Sequence, residues 1–323
     1  MDIASASNVI MSASNVIASR RSRRSNLLLL ALVLLSACSP QAPPEPREPV
    51  VVYAAFEDDS HLVGVFDRYK EETGVLVIVR RGPAGKIVDD LIENNISPPA
   101  DILMTSSVVD AWRAAEESAL RPLYSEVVSA QTPGWGMDPD KLWFALSSDH
   151  AVMAYRGDAP AARDLVNLAQ EQYRGQLCLS SSTNPINLAA IAILIDRLGV
   201  RDAEIAVRGW VKNLALPPFA TDDELVMAVA DGRCEMGIAA HSVAERHQVP
   251  FAEPATFHAD ITAVGVARHA RNPAGAAALV AWLVAETADM QVAANVDVER
   301  RRVSLVAVHN EEARSLAERA RYP

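Results

Sequence analysis

Apolar residues in this chain fall into short unbroken runs, and between the runs apolar positions recur every three or four residues. Val50–Ala55 is the first run and reads as a buried strand. Residues 59–73 follow with Leu62, Val65, Phe66 and Tyr69 on one helical face, and Gly74 marks the stop. The pair then repeats twice. A strand at 75–80 precedes a helix at 85–94 built around Ile87, Val88, Leu91 and Ile92. A strand at 101–105 precedes a helix at 106–119 built around Val109 and Trp112. Strands that are apolar throughout, alternating with helices, imply a largely parallel sheet covered on both faces.

The rhythm breaks at Leu142–Tyr155, a long apolar run interrupted by Ser147, Ser148, Asp149 and His150. Alternation resumes with a strand at 176–180, helices at 186–198, 202–213 and 222–231, and a strand at 234–239. A further strand-like stretch, Ile261–Arg268, precedes an alanine-rich helical tail. Two sheet-and-helix units joined by long strands, with the chain returning to the first, predict an α/β fold of two lobes. The expected lobes are 50–147 with 258–285, and 148–257 with 286–323. Ligands of such sheets sit beyond the carboxyl ends of the strands, here between the lobes.

Residues 1–37 stand outside this pattern. Arg20, Arg21, Arg23 and Arg24 precede nine apolar residues, Leu27–Leu35. A spanning helix needs ~20, so the segment reads as an export signal. Leu35-Ser36-Ala37-Cys38 resembles the lipobox of bacterial lipoproteins, in which the cysteine is acylated and becomes the first residue. Ser39 in the next position points to the inner leaflet of the outer membrane, on its periplasmic side. Ser-Ala-Ser-Asn-Val-Ile occurs at 5–10 and again at 12–17, which leaves Met11 as an alternative start. From Cys38 to Pro49, five prolines in twelve residues make a semi-rigid tether.

Charge and cysteines narrow the function classes. Without the leader, which carries four arginines and one aspartate, the formal charge moves from −11 to −14. That argues against nucleic acid and against electrostatic binding to anionic lipid. Cys178 and Cys234 lie in strand-like runs of an exported chain. A disulfide between them is the expectation, with two buried thiols that never meet as the alternative. The sequence has no Gly-x-Ser-x-Gly elbow, no His-Glu-x-x-His and no phosphate loop, so it does not read as an enzyme.

Several blocks carry a family resemblance: residues 50–82, Ser97-Pro98-Pro99-Ala100-Asp101, the stretch 176–194 with Cys178-Leu179-Ser180-Ser181-Ser182-Thr183-Asn184, 210–218, and 223–239. Together they resemble the periplasmic ferric-iron-binding proteins of ABC importers. The resemblance implies the bilobed type II periplasmic-binding-protein clamshell, closure on a bound solute, delivery to a membrane permease, and a monomer. It also implies where ligands belong, and there the sequence departs. The family's His-Tyr or His-Glu pair falls on Glu57 and Asp58. A carboxylate used by some members falls on Ser106, and basic residues of the crossing strand fall on Asp149 and Ala151. One ligating tyrosine falls on Ile186, and an adjacent Tyr-Tyr pair falls on Ser242 and Val243. Ferric iron held by tyrosinate is therefore not expected.

Three readings of the binding site remain open. Glu57, Asp58, Asp149 and His241 could form a remodelled metal site, since carboxylates suit hard cations and imidazole suits divalent iron, zinc or manganese. Glu57, Asp58 and Asp59 could equally cap the next helix. The cleft could instead take an organic cation, with Tyr53, Phe56, Trp135, Trp143 or Phe219 as aromatic faces. Ser181, Ser182, Thr183 and Asn184 stand before a helix and could seat an anion or cap that helix. In the third reading the chain no longer binds a solute and serves as an anchored interaction protein.

Overall fold

The structure, a computed structural model, describes residues 47–56, 60–94, 97–160, 162, 164–256, 259–287 and 306–323, side chains at 60–63 and 135 excepted. The leader, Cys38, most of the tether, Glu57, Asp58 and Asp59 lie outside the described residues. The chain begins with β1 (Val50–Ala55), α1 (Ser60–Thr73), β2 (Val77–Arg81), α2 (Ala84–Glu93), β3 (Ile102–Thr105) and α3 (Val108–Glu116). All six β1 positions are buried, as an unbroken apolar run demands, and β1 pairs in parallel with both β2 and β3. Asp101 fastens this start: its Oδ2 accepts from Val51 N at 2.9 Å and its Oδ1 from Asn272 N at 2.8 Å.

Next come β4 (Leu120–Arg121), α4 (Glu126–Gln131), β5 (Phe144–Tyr155), β6 (Leu177–Cys178), α5 (Pro185–Leu198) and α6 (Val200–Lys212). The chain continues through α7 (Asp222–Ala230), β7 (Met236–Ala240), α8 (His241–Arg246), β8 (Phe251–Ala252), β9 (Ala259–Ala267), α9 (Pro273–Glu286) and α10 (Asn310–Ala320). The strands run in the order β2-β1-β3-β9-β5-β7-β6, with β4 beside β9 and β8 beside β5.

β5 organises the molecule. The polar tetrad at 147–150 does not break it. From Phe144 to His150 it pairs antiparallel with β9, and from Ala151 to Tyr155 with β7. The register shifts between Ala145 and Ser147, where an irregularity of this kind bends a strand. One strand therefore serves two sheet halves. In the first half, Ile102, Met104, Phe144 and Val264 meet Leu279 and Leu283 of α9, while Tyr53, Leu103, Trp143 and Ile261 meet Ile87 and Val88 of α2. In the second half, Met153, Leu177 and Ile238 pack with Ile191, Leu194 and Trp210, and Leu316 and Tyr322 close the same core. The result is the anticipated two-lobed α/β architecture, joined by β5 and β9.

The structure also differs from the sequence pattern in places. The strand expected at 176–180 contracts to Leu177–Cys178, because Ser180 leaves the ladder to bridge Phe219. The short helices α4 and α8 fall below the length at which periodicity is informative, and α10 lies beyond the apolar tail. Cys178 and Cys234 are bonded, with Cα atoms 6.0 Å apart.

Candidate functional site

Where β5 and β9 run between the lobes they floor a cleft of ≈ 450 Å³. Ser147, Ser148 and Asp149 of β5 and Asp260 and Thr262 of β9 line it. Ser106 enters from the turn after β3. Asn184, Pro185 and Ile186 enter from the start of α5, and His241, Ser242 and Glu245 from α8. The lining is rich in hydroxyls. Ser106 Oγ donates to Ala55 O at 3.3 Å, which fixes it to the end of β1, whereas Ser148 Oγ is buried without a hydrogen-bond partner among the described residues.

Asp149 and Asp260 stand opposite each other in the β5–β9 ladder, and each reaches a helix N-terminus of a different lobe. Asp149 Oδ2 accepts from Ser242 Oγ at 2.5 Å, and its Oδ1 accepts from Ser242 N at 3.2 Å and His150 N at 2.8 Å. Asp260 Oδ1 accepts from Ser107 Oγ at 3.0 Å, Val108 N at 3.0 Å and Ile261 N at 2.9 Å. Burial pushes the Asp260 carboxyl up to about 7 even though these bonds favour its charged form, and Asp110 pushes the same way. Helix N-termini favour negative charge. Here the chain's own carboxylates meet that preference.

Beside Asp149, on the other face of β5, His150 is buried and donates from Nε2 to Glu253 Oε2 at 2.8 Å. Its ring stacks on His241, with centroids 4.9 Å apart and planes at 18°. His241 in turn meets the Phe251 ring edge-on at 4.9 Å and 77°. Burial would raise the Glu253 carboxyl, but the hydrogen bond to His150 and the neighbouring imidazoles hold it below the usual glutamate range. A third layer lies deeper. Asp222 Oδ1 accepts from Ser180 Oγ at 2.5 Å and Asn184 Nδ2 at 2.9 Å, and its Oδ2 accepts from Ala240 N at 2.8 Å. Burial raises its pKa against those bonds, and Asp149 and Asp223 add to the rise. Asp222 thereby ties the start of α5 to the end of β7, directly before His241.

Of the residues singled out in the sequence, the structure brings Ser106, Asp149, Asn184, His241 and Ser242 to one cleft. Ser181, Ser182 and Thr183 stand apart from its lining. Ser181 Oγ lies 3.0 Å from Thr183 Oγ1 and accepts from Thr183 N at 3.3 Å, while Ser182 N donates to Pro323 O at 2.9 Å. Their polar groups serve the turn and the C-terminal segment, which leaves Asn184 as the member of that block facing the cleft. Tyr53, Phe56 and Trp143 are core residues, and Phe219 lies under Arg233. The pattern reading missed Asp222, Glu245, Glu253 and Asp260. Asp260 opens an apolar run and Asp222 follows a helix cap, positions that signal secondary structure and conceal contacts across the fold.

Comparison with known proteins places this geometry. Residues 51–292 match the family of bacterial extracellular solute-binding proteins, well over half of the 323-residue chain. The chain belongs to that family. This solute-binding protein is 27% identical over 288 residues to iron uptake protein A1 of Synechocystis, covering 80% of its own length and 79% of the relative's. A Trichodesmium protein solved in complex with iron and citrate superposes with a TM-score of 0.72 at 25% identity, over 85% of this chain and 100% of that one. Apo ferric ion-binding protein A of Pasteurella haemolytica shares the fold at a TM-score of 0.74 and 21% identity, over 85% and 98% of the two chains. The solute-binding protein carries six tyrosines, all described, and none lines its cleft.

Proposed function

We propose that this chain is the lipid-anchored, extracytoplasmic solute-binding component of an ABC-type importer, and that its solute is iron carried as a chelate. The observation that carries the reading is the composition of the cleft: hydroxyls, an amide, carboxylates and one imidazole, with every tyrosine elsewhere. Tyr53 donates its hydroxyl to Pro98 O at 3.0 Å, and Tyr322 donates to Ser180 O at 2.7 Å, so both phenols are spent on structure. Relatives named for iron uptake and ferric-iron binding, together with one solved with iron and citrate, support iron as the metal. A cleft of ≈ 450 Å³ exceeds what a bare ion needs and falls within the ~300–1,000 Å³ of small-molecule sites. Among the described residues no three His, Cys, Asp or Glu side chains converge to enclose a metal. The chelator then supplies most of the oxygen donors that phenolates would otherwise provide. The export signal and Cys38 support the periplasmic location and the lipid anchor, and the family supports a permease as partner.

The test is calorimetric titration of the purified mature chain with ferric citrate and with citrate alone, followed by visible spectra. We expect binding of ferric citrate, none of citrate, and no new phenolate-to-iron charge-transfer band. A new red or orange band would return the site to tyrosinate ligation. Absence of binding would remove iron chelates as the solute.

A further inference from the structure

Among the charged and imidazole side chains that line the cleft, two are not already engaged. Asp149 is spent on Ser242 and the His150 amide, and Asp260 on the start of α3. His241 and Glu245 remain. Neither side chain has a hydrogen-bond or ion-pair partner among the described residues, and both face the cleft. They are four residues apart on α8, which puts their Cβ atoms about 5–6 Å apart on one helical face. Helical side chains lean toward the N-terminus, so the Glu245 carboxylate is directed back toward the imidazole. The His241 ring is also held in place, stacked on His150 and flanked edge-on by Phe251, while His150 is anchored to Glu253. An imidazole restrained on two sides with its nitrogens unpartnered has lost little freedom by the time a ligand arrives.

We propose that His241 and Glu245 are the protein's own ligands to the metal of the solute, one imidazole nitrogen and one carboxylate oxygen, with the chelator or water completing the shell. This donor pair suits first-row transition ions such as iron, cobalt or copper. His150, Glu253 and Phe251 act as positioning residues that aim the imidazole and do not touch the metal. The assignment rests on the solute-binding reading above, and it adds Glu245, a residue that no motif in the sequence marked.

Two probes separate this assignment from the reading beneath it. Copper(II) alone, added at one equivalent to the mature chain, reports nitrogen ligation directly through hyperfine structure in electron paramagnetic resonance. The wild-type spectrum should show it, His241→Gln should lose it, and Glu245→Gln should keep the nitrogen but weaken copper at least ~10-fold by equilibrium dialysis. Glu245 is solvent-exposed, so Glu245→Gln should melt with the wild type and remain informative even if His241→Gln disturbs packing. Glu253→Gln should retain nitrogen ligation with a smaller loss of affinity, since it only releases His150. Ferric citrate is the second probe, and both single variants should weaken it by a similar factor. An unchanged copper spectrum and affinity in the His241→Gln, Glu245→Gln double variant would overturn the pair, whatever ferric citrate does. Failure of the wild type to bind ferric citrate, with the copper result intact, would leave the pair standing and remove only the chelated-iron reading.

Discussion

Asp260 shows how one buried side chain links the cleft to stability. A single oxygen takes all three of its hydrogen bonds, and enclosure raises the carboxyl from 3.8 to about 7. Between those values the folded protein holds a proton that the unfolded chain has released. Folded protein therefore binds more protons, and stability falls as pH rises through the window. At about 1.4 kcal/mol per pH unit, the full effect is on the order of 4 kcal/mol, an upper figure. Asp260→Asn keeps an acceptor at Oδ1 for Ser107, Val108 and Ile261 and cannot ionise. Its advantage over the wild type should grow from about pH 4 to pH 7 and then level off, measured by urea unfolding across that range. A constant difference at every pH would mean that Asp260 is charged throughout. The sequence offered no sign of this residue's role, because an aspartate at the head of an apolar run looks like a strand end.

At the scale of elements, the second lobe depends on a covalent tie as well as on packing. Cys178 ends β6 and Cys234 stands just before β7, two parallel neighbours in register at Leu177 and Met236. The 56-residue separation closes a loop whose cross-link stabilises by about 4 kcal/mol in the chain-entropy model, and strain lowers that figure. Cys178→Ala with Cys234→Ala should reduce the unfolding free energy toward that limit and should affect the second lobe before the first, as read by hydrogen exchange. Protection lost equally in both lobes would show that the bond stabilises the molecule without favouring one half. The element that decides the site, α8, is only six residues long. Its position follows from Asp149 accepting from Ser242, 93 residues away, and from Asp222 of the preceding helix α7 accepting from Ala240. The serine block at 180–184 was legible as a helix start, and Asn184 does accept from Ile186 N at 2.9 Å. The docking of Pro323 against Ser182 was not legible, since nothing local connects the two.

For the whole molecule, the proposed anchor makes a clear demand. If Cys38 carries lipid, Cys38→Ala protein should leave the membrane fraction for the soluble periplasmic one while keeping its solute binding. Variant protein that still sediments with membranes would point to another tether. The short apolar run and the cysteine after it were sufficient to raise this expectation, because export and acylation act on linear segments before folding. The two-lobed α/β architecture was equally legible, since buried strands and amphipathic helices are set by side-chain periodicity over a few residues. Tertiary structure alone decided which polar groups meet in the cleft. Ser242 reaches Asp149 across 93 residues, Glu253 reaches His150 across 103, and Asp260 reaches Ser107 across 153. Those distances close only once β5 lies beside β7 and β8, and β9 beside β3, and each strand's alternation assigns its residues to a face. Strand order is a property of the packed molecule, and so is the placement of His241 and Glu245, the pair proposed as ligands, in a cleft whose other charged residues serve the fold.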